Sequence, residues 1–85
     1  MENQRLKKLV IEVVDNQIKD NNPPSTKEAY EKLQEFGFTK TEAKERIASV
    51  VAEEIWYVMH ENQPFNEKRF NEKLMNLIES RGDII

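Results

Sequence analysis

The sequence predicts an all-α protein: a compact four-helix domain with a central, largely buried third helix. Three observations predict it. Apolar residues recur with a 3.6-residue period along most of the chain. Helix breakers are sparse, only Gly37, Gly82, Pro23, Pro24 and Pro64, and they fall between the periodic segments. The patterns "STKE" and "TKTE", each a Ser or Thr followed three residues later by Glu, stand just ahead of apolar runs, as a capping box does. Eighty-five residues make one domain, spanning 1–85, of the size at which a single core is only moderately stabilising.

The first helix is expected over 4–20. Leu6, Val10, Val13, Val14 and Ile18 share one face, and "DNNPP" ends it, because residues before proline avoid the α region. The second is expected over 26–36, with Ser25 and Glu28 as its capping box, Ala29, Tyr30, Leu33 and Phe36 as its inner face, and Gly37 as its left-handed stop. The third is expected over 40–61, opened by Thr39 and Glu42. Its broad apolar face holds Ala43, Ile47, Val50, Val51, Ile55 and Val58, and a second flank carries Ala48, Ala52, Trp56 and Met59. A helix apolar nearly all round belongs at the centre of the domain. The fourth is expected over 67–80. Asn66 is its cap, Phe65 and Phe70 form a hydrophobic staple, Phe70, Leu74, Leu77 and Ile78 face inward, and Gly82 is the stop. The connections are short, so successive helices pack as neighbours.

Composition excludes several chemistries. There is no cysteine, hence no disulfide, thiolate nucleophile or cysteine metal site. A small secreted domain of this size usually carries disulfides, and "MENQRLKKLV" lacks the apolar run of a signal peptide, so a cytoplasmic location is expected. No stretch approaches the ~20 apolar residues of a membrane span. A net charge of −3 argues against nucleic acid, which needs a basic face. The one basic cluster, Arg5, Lys7 and Lys8, spreads round its helix instead of forming a stripe. A helix-turn-helix geometry for the second and third helices meets the same objection, because the third is apolar and acidic where a recognition helix is basic.

Enzyme chemistry is equally hard to assemble. With the single histidine His60, a triad would need Ser25, Ser49 or Ser80. Ser25 reads as a cap, and Ser49 lies about three turns from His60 on the same helix. The di-iron pattern Glu-x-x-His is absent, since Tyr57 follows Glu54 at that spacing, and adjacent Glu53 and Glu54 diverge by about 100°. Lone glycines cannot cradle a phosphate. No catalytic residue, metal ligand or cofactor is therefore assigned, and the chain is expected not to be an enzyme.

Glu54 is the residue that needs an explanation, because it falls in the middle of the apolar side of the third helix. A lone buried carboxylate would take up a proton. Gln17 holds an equivalent place on the first helix, so Glu54, Gln17 and Tyr30 are expected to form a buried polar network. On that reading Glu54→Leu keeps the fold, while Glu54→Ala loses roughly 1–3 kcal/mol by leaving the partners unpaired.

The segment "NNPPSTKEAYEKL", followed by "TEAKERIASVVAEEIW", resembles a group of small bacterial helical proteins catalogued only as domains of unknown function. The resemblance covers about Gln17 to Leu77 and rests on Pro23, Pro24, Tyr30, Leu33, Glu42, Ala43, Ile47, Glu54, Ile55 and Trp56. It implies a bacterial, intracellular helical protein and supplies no activity. Histidines are commoner in that group, one of them near the position of Glu45, so a metal role does not carry over to this chain.

The function expected is a non-enzymatic helical interaction module. It would bind a protein partner, or itself as a homodimer, through an apolar patch of Trp56, Met59, Ile84 and Ile85. The alternative is a small-ligand or metal-binding helical domain whose site lies between helices and includes Glu54. Neither nucleic acid nor membrane is an expected partner.

Overall fold

The computed structural model describes residues 4–81, so Gly82, Ile84 and Ile85 lie outside the described residues. It consists of four helices: α1 (Gln4–Asp20), α2 (Pro24–Glu35), α3 (Lys40–His60) and α4 (Glu67–Glu79).

The chain ends α1 before it reaches the prolines. Asn21 takes a left-handed conformation (φ 52°), and the N–H groups of Asn21 and Asn22 close back on the carbonyls of Ile18 and Gln17. The prolines then start α2. Pro23 is its extended N-cap and Pro24 its first residue, where a fixed φ is already helical and the missing N–H would have been unpaired. This corrects the capping-box reading of "STKE": α2 has no side-chain cap, and Ser25, inside the first turn, donates its hydroxyl to Asn71 Oδ1 of α4 at 2.6 Å.

The other helix ends follow the sequence. After α2, Phe36 is the C-cap and Gly37 turns left-handed (φ 106°). The N–H of Gly37 bonds to the Gln34 carbonyl and that of Phe38 to the Leu33 carbonyl, a Schellman closure. Thr39 and Glu42 form the reciprocal capping box of α3, at 3.1 Å and 2.9 Å. Asn66 caps α4 through the Arg69 N–H, and the Phe65 and Phe70 rings meet at 5.7 Å as the staple. After α4 the left-handed residue is Arg81 (φ 58°), one place before the glycine expected there.

The helices pack in a specific order. α3 touches α1, α2 and α4, and α2 touches the other three as well, whereas no Cα of α1 lies within 8 Å of one in α4. The core between them holds Val10, Val14, Ala29, Leu33, Ala43, Ile47, Val50, Val51, Phe70, Leu74 and Leu77. Lys7 pairs with Glu45, and Asp15 with Lys44. Both ion pairs hold α1 against the first two turns of α3.

Burial of α3 is concentrated between Ala43 and Glu54. Beyond it, Trp56, Val58 and Met59 are exposed. The inner face of α1 is also rotated from the one expected. Val10 and Val14 are buried, Ile11 and Ile18 pack beside them, and Leu6 and Val13 are exposed.

Gly37 gives a direct check on the α2–α3 turn. No atom lies within 4 Å of where a Cβ would stand, so Gly37→Ala meets only backbone strain. The expected loss is about 1–2 kcal/mol, read as a lower urea midpoint with an unchanged slope. An unchanged midpoint would show that the turn tolerates a side chain at this φ.

Candidate functional site

Glu54 is buried, only 2% exposed, as its place in the sequence requires. Its partner is Arg69 of α4. Arg69 Nε donates to Glu54 Oε2 at 2.6 Å and Nη2 donates to Oε1 at 3.0 Å, a bidentate pair. The remaining faces of the guanidinium are also used: Nη1 donates to Gln63 Oε1 at 3.2 Å, and the group lies over the Tyr57 ring at 4.4 Å. One turn along α4, Lys73 pairs with Glu53 and approaches the same ring. Two adjacent carboxylates on α3 thus meet two cations spaced i, i+4 on α4.

The expected network is therefore corrected. Gln17 accepts a hydrogen bond from the hydroxyl of buried Thr26 at 2.9 Å, tying α1 to α2. Tyr30 packs against the core with Lys44 near its ring, and its backbone carbonyl accepts from the Gln34 side chain. The polar groups separate because Thr26 of α2 engages Gln17, while Arg69 of α4 engages Glu54.

The bonds from Arg69 hold the Glu54 carboxyl below the usual carboxylate range. They outweigh burial, which pushes it up, and the backbone at Asn66 and Lys73 add to the lowering. Arg69 is raised in turn, chiefly by the same pair. Glu54 is thus a charged, fully engaged group and not a proton donor in waiting.

Because α1 and α4 do not meet, a cleft opens between them over the second half of α3. Its volume is about 260 Å³, and it is lined by Val13, Gln17, Val51, Glu54, Ile55, Val58, Phe65 and Phe70. Six of these eight are apolar. The two polar ones are already hydrogen-bonded to Thr26 and Arg69. Three lining residues also face solvent: Val13 at 38%, Val58 at 39% and Phe65 at 53%.

The expected patch is partly placed. Met59 is 72% exposed, and Trp56 is exposed with its ring stacked on His60 at 4.8 Å. His60 Nδ1 lies 3.2 Å from the Trp56 carbonyl, so this histidine is occupied by its own helix end. Ile84 and Ile85 fall outside the described residues. Among the described residues no cluster of three His, Asp or Glu side chains is placed to hold a metal, and no helix is long and apolar enough to cross a membrane.

Comparison with protein-family models, with curated proteins and with solved structures found no match to this chain, so its function is argued from its own side chains.

The Arg69 partnership changes what substitution at Glu54 does. Either Glu54→Leu or Glu54→Ala strands a half-buried guanidinium, with an expected loss of roughly 2–3 kcal/mol. The lowered Glu54 carboxyl contributes its full stability above the unfolded value of about 4.3, and that contribution disappears as pH falls through the folded value. Urea unfolding at neutral and at acid pH should therefore show a steeper acid loss in the parent than in Glu54→Gln. Equal acid losses would mean that the pair contributes no net stability.

Proposed function

We propose that this chain is a non-enzymatic interaction module that takes the apolar face of a partner helix into the cleft between α1 and α4. The observation that carries this reading is the cleft itself: an apolar floor, walls on two helices that do not touch, and solvent-exposed Val13, Val58 and Phe65 at its edges. A groove of this form accepts side chains presented at i, i+3, i+4 and i+7 along a helix.

Charge at the mouth selects the kind of helix. The cleft lies over the C-terminal halves of α1 and α3, the ends at which a helix dipole is negative, and the positive N-terminal end of α4 beside Phe65 and Phe70 is already answered by the Asn66 side chain and Glu67. Asp20 follows Gln17, and Glu61 follows Val58, at the i+3 spacing that keeps each on the cleft side. Neither forms an ion pair among the described residues. Lys19, the cation in the last turn of α1, stands about 160° round the helix from Gln17. The favoured partner helix therefore carries Lys or Arg beside its apolar stripe.

A small apolar ligand is the second reading, since the cleft does include Glu54. It is disfavoured because both Glu54 oxygens are bonded to Arg69, which leaves little polar surface to orient a small molecule.

Two synthetic helical peptides with the same apolar face, one flanked by lysines and one by glutamates, test the reading. The lysine peptide is expected to perturb the NMR signals of Val13, Val58 and Phe65, to bind less well as salt rises, and to lose binding with Val58→Glu. If neither peptide moves those signals, the cleft is not a helix-binding site.

A further inference from the structure

We infer that the helix the cleft receives is the N-terminal half of α1 from a second copy of this chain. The inference rests on the helix-binding reading above and names its partner.

The first support is the width of the apolar arc of α1. Val10 and Val14 are buried and Ile11 and Ile18 pack beside them, which already supplies an ordinary core-facing stripe. Leu9, 54% exposed, lies four residues before Val13, and Leu6 lies three before Leu9. The three form a second stripe at i, i+3, i+7, at the edge of the first and open to solvent.

The second support is charge. Arg5 stands beside Leu9 at the i, i+4 spacing, in the half of α1 that carries Leu6 and Leu9, and forms no ion pair among the described residues. This is the basic, apolar helix that the acidic mouth of the cleft selects. The half that carries the complementary acid, Asp20, is the half that lines the cleft.

The third support is symmetry. Val13 belongs both to the exposed stripe and to the cleft wall. If two copies of α1 run antiparallel about a two-fold axis, the stripe of each enters the cleft of the other in one isologous contact. Leu9 of one copy then lies beside Val13 and Val58 of the other, and Arg5 stands over Gln17, within a side chain's reach of Asp20 one turn further on. The two helix dipoles oppose, which adds attraction. The register also brings Glu12 near its counterpart on the outer flank, so Glu12→Gln should tighten the pair.

Sedimentation equilibrium on the full chain from about 1 μM to about 1 mM provides the test. The expected result is a reversible dimer that weakens with salt. Leu9→Glu and Val58→Glu should each raise the dissociation constant at least about tenfold, with circular dichroism and urea midpoint near the parent's because both sites are exposed. Arg5→Glu and Asp20→Arg should each weaken the dimer, and the double variant should restore it. A parent that stays monomeric while the lysine peptide still binds overturns the self-docking and leaves the helix-binding reading intact. A monomeric parent whose cleft also ignores both peptides overturns the two together. A dimer indifferent to Leu9→Glu and Val58→Glu places the contact elsewhere and overturns the inference.

Discussion

The buried bidentate pair between Glu54 and Arg69 is the constraint on which the rest of the arrangement depends. A carboxylate at 2% exposure is tolerable only if its partner is close, oriented and itself held, and Arg69 meets all three conditions through Gln63 and the Tyr57 ring. The pair fixes the first turn of α4 to the second half of α3. Lys73–Glu53 repeats the tie one turn on, and Ser25–Asn71 ties α4 to α2. On the far side, Lys44–Asp15 and the Thr26–Gln17 bond hold α1 to α3 and α2. Each wall of the cleft is therefore anchored by polar contacts at its base while its floor stays apolar. A groove held in this way is preorganised, and an entering helix does not have to order it.

The exposed end of α3 has a geometric origin. At 21 residues α3 is about 30 Å long, whereas α2 with 12 and α4 with 13 span only about 18–20 Å each. Among the described residues no further helix covers the excess. The apolar arc therefore outruns its neighbours, and Trp56, Val58 and Met59 emerge past the core. The segment between α3 and α4 then turns Phe65 back against Phe70, and this makes one edge of the cleft.

The features legible in the sequence are those decided locally. The Thr39–Glu42 box, the Gly37 stop, the Asn66 cap and the Phe65–Phe70 staple each depend on residues within five positions of one another. Glu54 was legible as a buried polar residue because helical spacing alone put it on the apolar side. Its partner was not, because Arg69 is fifteen residues away and borders the inner stripe of α4, where a cation reads as surface. The usable signal was a matched pair: adjacent Glu53 and Glu54 on one helix, and Arg69 and Lys73 at i, i+4 on the next. The rotation of the α1 face was illegible for another reason. Its apolar residues cover an arc wide enough for two neighbours, and periodicity does not say which part the core takes. The "STKE" box failed because Pro24 can open a helix unaided, so the Ser25 hydroxyl was free to bond across to α4.

Total charge conceals what matters most for recognition here. A net charge of −3 speaks against a polyanionic partner, yet three of the four cations of α1, Arg5, Lys7 and Lys8, stand near its start, and Asp20, in no ion pair among the described residues, stands at its end. Filling the cleft removes Val13, Val58 and Phe65 from water at about 25 cal/mol per Å² of apolar surface. Glu54 adds little desolvation cost there, because it is already only 2% exposed and bonded through both oxygens to Arg69. A domain this small has a narrow margin of stability, and any occupant that binds only the folded form widens it by mass action. If the cleft receives a helix as proposed, its occupancy is linked to folding: the gap between α1 and α4 that leaves Val13, Val58 and Phe65 in water is the place where that helix covers them.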